Sequence, residues 1–266
     1  MRLLLFLLFP LSLSAFVVDP WFSNIGEFQL RSTYSYRYYP QMSQSQTSYH
    51  SNDHLIDLNL GLTFLPSWEA QLESDFSDTQ KLSWGAERLG AQIRYLMLND
   101  VAGDPVSLTI GGQLFYVPSR NLRDVSCPYH AEGNLELGVG MGKELGGVYH
   151  WLYRLHGFFG IGTGNRGSPW LHPSLSVEMK YGRPHKFQLT ADGSFGLGKQ
   201  SLVFVDRFHG YAKIKHRSVD LSLGYSYHFK IWGSLEMQCV YRLYAYACPE
   251  RVGMFTMSYH FPFSIF

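Results

Sequence analysis

His172, Pro173 and Ser174 are the residues whose types and spacing come nearest to a catalytic pair in this 266-residue chain. Two positions apart on a strand, imidazole and hydroxyl share one face, where a base could draw the proton from a nucleophile. Leu171, Leu175 and Val177 hold the opposite phase, so the shared face is the polar one. Such a pair also needs an acceptor to orient the imidazole, and nothing nearby in sequence supplies it. His50 and Ser51 are neighbours and would face apart on a strand. His50 and His54 are four apart, with Asp53 between them, but that spacing serves a metal only on a helix, and no Cys/His cluster has zinc spacing. Gly138, Gly140 and Gly142 alternate instead of forming a phosphate-cradling turn. On a strand they would relieve crowding on one face or let the wall bend. The expectation is no catalytic residue, no metal site and no cofactor.

The charges are more informative. Asp57, Glu69, Glu73, Asp75, Arg88 and Arg94 all fall in the polar phase of alternating runs. So do Glu136, Arg154, Glu178, Asp220, Glu236 and Arg242, together with Arg31, Arg37, Lys180 and Asp192. Both signs are present in similar numbers, and two readings follow. Either the charges pair across an interior and fill it, or they line a polar channel with local fields. In the channel reading Glu69, Glu73 and Asp75, near Asp57, favour cations, while Arg88 and Arg94 on the next strand oppose them.

The elements that must position this set are strands. Alternating runs are expected near 27–38, 53–65, 68–77, 87–98, 105–117, 130–144, 148–162, 170–181, 186–196, 219–230, 234–246 and 252–263. Ile56, Leu58, Leu60, Leu62 and Phe64, for example, alternate with Asp57, Asn59, Gly61 and Thr63. Many runs reach the ~9–11 residues a tilted strand needs to cross a bilayer. Short connections (65–67, 182–185, 231–233) alternate with longer polar ones (40–52, 78–86, 118–129, 163–169). This is the pattern of an all-β, transmembrane, up-and-down antiparallel barrel with periplasmic turns and external loops. Trp68, Trp151 and Trp232 fall beside the short turns, where interfacial indoles belong. The segment 197–218 holds two shorter runs: twelve strands result if it forms part of an external loop, fourteen if it enters the membrane, and because the runs are short twelve is the expected count.

Met1-Arg2 followed by Leu3 to Pro10 is a basic end and an apolar core far short of a spanning helix, which reads as a signal peptide over 1–15. Residues 16–26 are then a periplasmic N-terminal segment and 27–266 the barrel. Net charge is +1, which gives no electrostatic case for nucleic acid. Aromatic content is 16%, for which membrane girdles give a direct reason. Three cysteines make no disulfide scaffold: Cys239 sits in an apolar phase, and Cys127 and Cys248, each before a proline, are expected as free thiols unless their loops meet.

The stretch Leu60 to Glu73 (LGLTFLPSWEAQLE) resembles the strand, tight turn and acidic strand of Gram-negative outer-membrane barrels. With Arg88 to Pro118 it is similar to the barrel transporters of the MetA-pathway phenol-degradation family, a likeness confined to 52–120 and carrying no catalytic residue. Phe266 resembles the terminal signal read by the barrel-assembly machinery, but it is out of phase with Phe261 and Phe263, and Pro262 is expected to interrupt the last strand. The His172/Ser174 spacing resembles that of outer-membrane phospholipases and lipid A deacylases, whose sites face the bilayer; here the pair would face the interior. The leading expectation is an outer-membrane channel or passive transporter for a small solute. The alternatives are a surface barrel that binds a partner through the 40–52 loop, and a lipid-acting enzyme.

Overall fold

A strand with lipid on one side has no water to satisfy its backbone, so every N–H and C=O must find a neighbouring strand. A computed structural model describes residues 19–147, 150–182 and 184–264 and shows how this is met. The first six wall strands are β1 (Glu27–Tyr39), β2 (Ser51–Leu65), β3 (Trp68–Asp78), β4 (Gly85–Leu98), β5 (Ser107–Tyr116) and β6 (Gly133–Gly147). The others are β7 (His150–Gly164), β8 (Trp170–Tyr181), β9 (His185–Gly196), β10 (Arg217–His228), β11 (Ser234–Tyr246) and β12 (Gly253–Ser264). Each pairs antiparallel with its sequence neighbours. β1 also pairs with β12, from Glu27 opposite Ser264 to Tyr38 opposite Gly253, so the barrel is closed.

Closure fixes which phase faces out. Leu58, Leu72, Leu114 and Leu223 are exposed, whereas Thr33, Asp57, Gln92 and Ser176 are buried. This inverts the usual globular arrangement and suits an apolar solvent outside. Between β3 and β4 the register slips, pairing Asp75 with Arg88 and Phe76 with Ala86. The extra residue, Glu87, is turned inward and 1% exposed.

The segment 197–216 adds no wall strand, so the count is twelve, not fourteen. It holds one 3-10 turn (Val205–Arg207) and isolated bridges from Ser45 to Val203 and from Gln200 to Ile214. With the loops 40–50, 117–132 and 247–252 it builds a cap over the long-loop end. The apolar core of the molecule lies there: Tyr39, Met42, Val125, Val203, Phe208 and Tyr211 pack with Cys248 and Val252, beside a smaller group around Leu122, Cys127 and Tyr129. Gly167 (φ +90°) lets the 165–169 turn pass directly beneath this layer, since a Cβ there would lie 2.4 Å from the Ala212 carbonyl oxygen.

Pro262 does not interrupt the last strand. β12 runs to Ser264, with Pro262 opposite Gln29. On its other side β11 stops opposite His260, so no neighbour there requires the N–H that proline lacks. The proposed signal segment 1–15 and Phe266 lie outside the described residues.

An arginine in place of the outward Leu223, at mid-height of β10, should cost roughly 2–4 kcal/mol. The loss should appear as reduced urea resistance of the barrel in vesicles and loss of its heat-modifiable gel band.

Candidate functional site: the barrel interior

The interior divides into parts of different chemistry. At the short-turn end, the segment preceding β1 enters the barrel mouth. Trp21 donates its indole N–H to Asp100 Oδ1 (3.0 Å) and stands edge-on to His156, with Arg154 over its face at 4.3 Å. Arg94 lies over Phe22 at 4.9 Å and donates to the Asp19 carbonyl (2.8 Å). Gly142 makes the room, because a Cβ there would fall 2.7 Å from both Pro20 Cγ and the Trp21 ring.

The half of the interior walled by β2 to β5 is filled by ion pairs. Arg88 donates to Asp75 (2.7 Å) and to Glu73 (2.9 Å), while Gln113 and Asn59 also donate to Glu73 (2.6 and 3.1 Å). Arg94 pairs with Glu69, which also accepts from Gln71 and Thr63. Arg31 is 3.8 Å from Asp57. The acidic run on β3 is therefore engaged where it stands, with Arg88 shared between Glu73 and Asp75 and Arg94 held by Glu69. Around the remaining wall, Arg154 pairs with Glu144, Lys186 with Glu178 (2.9 Å) and more loosely with Glu236 (3.8 Å), and Arg242 with Asp220 (2.6 Å). Lys180 stands on β8 opposite Lys186. Sequence reading missed Glu144 and Lys186, although both share the polar phase of Glu136 and Gln188.

His172 finds the acceptor that its sequence neighbourhood lacks. Its Nδ1 lies 3.0 Å from Glu136 Oε1, and Trp170 donates to the other oxygen of that carboxylate (3.2 Å). Gly160 and Gly162 leave the space for Glu136 and Trp170. Ser174 instead meets Asp192 on the neighbouring strand. Base and hydroxyl are drawn to different carboxylates inside the barrel, an arrangement that packs polar groups without assembling a nucleophile.

The cap is tied down through buried polar contacts. Arg37 pairs with Asp53 (2.7 Å) and donates to the Ser126 carbonyl (2.8 Å); Tyr211 donates to the Val125 carbonyl (2.9 Å). His130 and His216 meet Nε2 to Nε2 at 2.9 Å, with His130 stacked on Trp170 at 4.0 Å. One ring must donate and the other accept, so the two cannot both be protonated while the contact holds. Burial, then the facing His216, holds His130 well below its ordinary value; burial, then Arg242, pushes His216 down to about 4. Beneath the cap lies a cavity of about 410 Å³ bounded by Tyr129, His130 and His216 above and by the β8 to β12 side of the wall.

Of the aromatic residues expected at the interface, Trp68 packs on Tyr95 (4.8 Å between centroids) and Trp232 is exposed, both beside short turns. Trp151 lies on β7 opposite Gly146, at the same end. Cys127 and Cys248 are buried, free thiols in separate apolar groups, and Cys239 is exposed on the outer face.

No family model and no curated protein sequence matches the chain, so the MetA-pathway likeness stands on residues 52–120 alone. Solved structures do match. The COG4313 outer membrane channel from Pseudomonas putida F1 has a TM-score of 0.71 at 11% identity, covering 94% of this chain and 100% of that one. The NanC porin gives 0.59 at 9% identity over 87% of this chain and 98% of its own. The translocator domain of the autotransporter NalP from Neisseria meningitidis gives 0.53 at 11% identity over 88% and 87%. At such identities the likeness is one of fold: that of outer-membrane channel and porin barrels.

Two measurements follow. Arg88→Met strands Glu73 and Asp75 and should cost about 3–5 kcal/mol in urea unfolding, most of it regained when E73Q and D75N are added. The histidines titrate near 6.5 when released but lower in the cap, so the unfolded cap binds more protons between those values and cap stability rises with pH there. Proteolysis within 197–216 should therefore increase as pH falls from 7 toward about 4.5 and respond far less in H130N/H216Q.

Proposed function

We propose that the protein is an outer-membrane channel or passive transporter for small solutes, here in a closed form. The observation that carries this reading is the polar cavity enclosed by a hydrogen-bonded wall with an apolar exterior. The likeness to proteins described as an outer membrane channel and a porin supports it at the level of fold. Both described chain ends lie at the short-turn end, which in such barrels is periplasmic. The cap then faces outward and the Trp21 segment stands at the periplasmic mouth. Membrane lipid around the wall and insertion by the barrel-assembly machinery belong to the same reading. The MetA-pathway likeness adds transport in a barrel of this kind and names no solute for this chain.

The alternatives have less support. The 40–52 loop is tied into the cap through Met42 and the Ser45–Val203 bridge, which leaves less of it to offer a partner. A lipid-acting enzyme would need its base at the bilayer, whereas His172 is buried against Glu136.

In planar bilayers the intact chain should conduct weakly, and shortening it through Phe22 should raise single-channel conductance several-fold. Full insertion with neither conductance nor solute flux from either form would defeat the proposal.

A further inference from the structure

The cavity lies against the side of the barrel opposite the ion-paired half, and its chemistry there is different. Across β8, β9 and β10, Ser176, Thr190 and Ser222 stand side by side in register. One step along, Gln188, Gln238, Thr256 and Ser35 continue the row through β11 and β12 to β1, with Gly224 between the two glutamines. The groups are cross-linked: Ser176 and Thr190 hydroxyls at 2.8 Å, Gln188 to Ser176 at 3.1 Å, Gln238 to Ser222 at 2.8 Å. A hydroxyl has one donor and two acceptor sites, so a ladder of this kind keeps capacity to give and to take further hydrogen bonds.

Most ionised groups bordering the cavity are engaged by the wall itself. Arg37 has Asp53, Arg88 has Glu73 and Asp75, Arg242 has Asp220, Glu136 is hydrogen-bonded by His172 and Trp170, and Asp192 meets the Ser174 hydroxyl, while Arg31 lies 3.8 Å from Asp57. A charged solute would have to compete with these contacts or break a buried pair at high cost. An apolar solute would cover the ladder and leave its donors and acceptors unmet. Three buried polar atoms on residues bordering the cavity lack a hydrogen-bond partner: Arg31 Nε, which lies 3.8 Å from Asp57, and Gln113 Oε1 and His156 Nδ1, on residues 1% and 7% exposed. The Gln113 amide nitrogen is committed to Glu73, which orients its acceptor, and β5 stands six strands from β11 around the wall. At about 410 Å³ the cavity falls within the ~300–1,000 Å³ of small-ligand sites.

We propose that this cavity binds an uncharged, polyhydroxylated solute of sugar-like size, held between the Ser/Thr/Gln ladder of β8 to β12 and the Gln113 acceptor and His156 ring nitrogen. The proposal rests on the channel reading for its route, while the site itself is testable without transport.

The test uses one ring chemistry with different charge: glucose, glucuronate and glucosamine, with cyclohexanol as the apolar probe. Binding to the full chain in detergent is measured by calorimetry and flux by vesicle swelling. Glucose should bind in preference to the other three. T190V/Q238L should weaken glucose binding by about tenfold, the scale of one or two net hydrogen bonds, while the heat-modifiable band stays intact. Equal or stronger binding of glucuronate, glucosamine or cyclohexanol would overturn the proposal, as would unchanged glucose binding in a folded T190V/Q238L, or no binding of any probe. If that variant fails to fold, Q113L carries the same test from the opposite wall. Glucose binding without flux would uphold the site and defeat the channel reading; flux without discrimination among the probes would do the reverse.

Discussion

Closure of the strand ladder, with Glu27 against Ser264 and Tyr38 against Gly253, governs the rest of this structure. A sheet surrounded by lipid cannot leave an edge unpaired, because each orphaned backbone group costs several kcal/mol. Once the first and last strands meet, every residue of the wall is committed to one of two environments, and a slip of one position would exchange them. The inward phase then carries a large polar population into a space too narrow to hydrate it freely. Pairing is the physical answer: Arg88 spans Glu73 and Asp75, Arg242 takes Asp220, and Arg37 takes Asp53 while holding the cap carbonyl of Ser126. Matched pairs of this kind add little net stability but are costly to break singly.

The polar filling is uneven, and the unevenness makes the site. Between β2 and β5 the side chains are long, charged and interlocked, so that half is packed. From β8 to β12, between the Lys186 pairs at one end and the Arg242–Asp220 pair at the other, they are short hydroxyls and amides, which leave space. Glycines at 142, 160 and 162 fit the N-terminal segment, Glu136 and Trp170 into the remaining sector. The apolar core, which an ordinary domain would place at its centre, is displaced into the cap around Tyr39, Val203, Phe208 and Tyr211.

Much of the wall was legible in the sequence because period-2 alternation is a local signal. The runs 170–181 and 234–246 match their strands end to end, and the 197–218 hairpin was recognisable as too short to cross. The contents of the barrel were less legible. Glu136 lies 36 residues from His172, and Asp192 reaches Ser174 only through the β8–β9 register, so neither partner is marked by spacing. Lys186 and Glu144 carried the right phase but sat at strand ends, where the alternation is weakest. The cap and the Trp21 segment were illegible for a stronger reason: their positions depend on contacts between loops far apart in the chain, which no local period encodes. Pro262 shows the converse error, a strong local signal overridden because β11 ends before reaching it.

The β1–β12 seam also fixes an order in time. The two strands that complete the ring are the first and the last of the wall, so no amount of correct hairpin formation in between can seal it. Until β12 arrives, β1 is an open edge able to pair with whatever strand it meets. Such a maximally non-local pairing forms slowly on its own. The residues that occupy the barrel mouth, Asp19 to Phe22, are continuous with that waiting edge. The mouth is therefore furnished as the ring shuts, by the same stretch of chain that must be kept from pairing too soon.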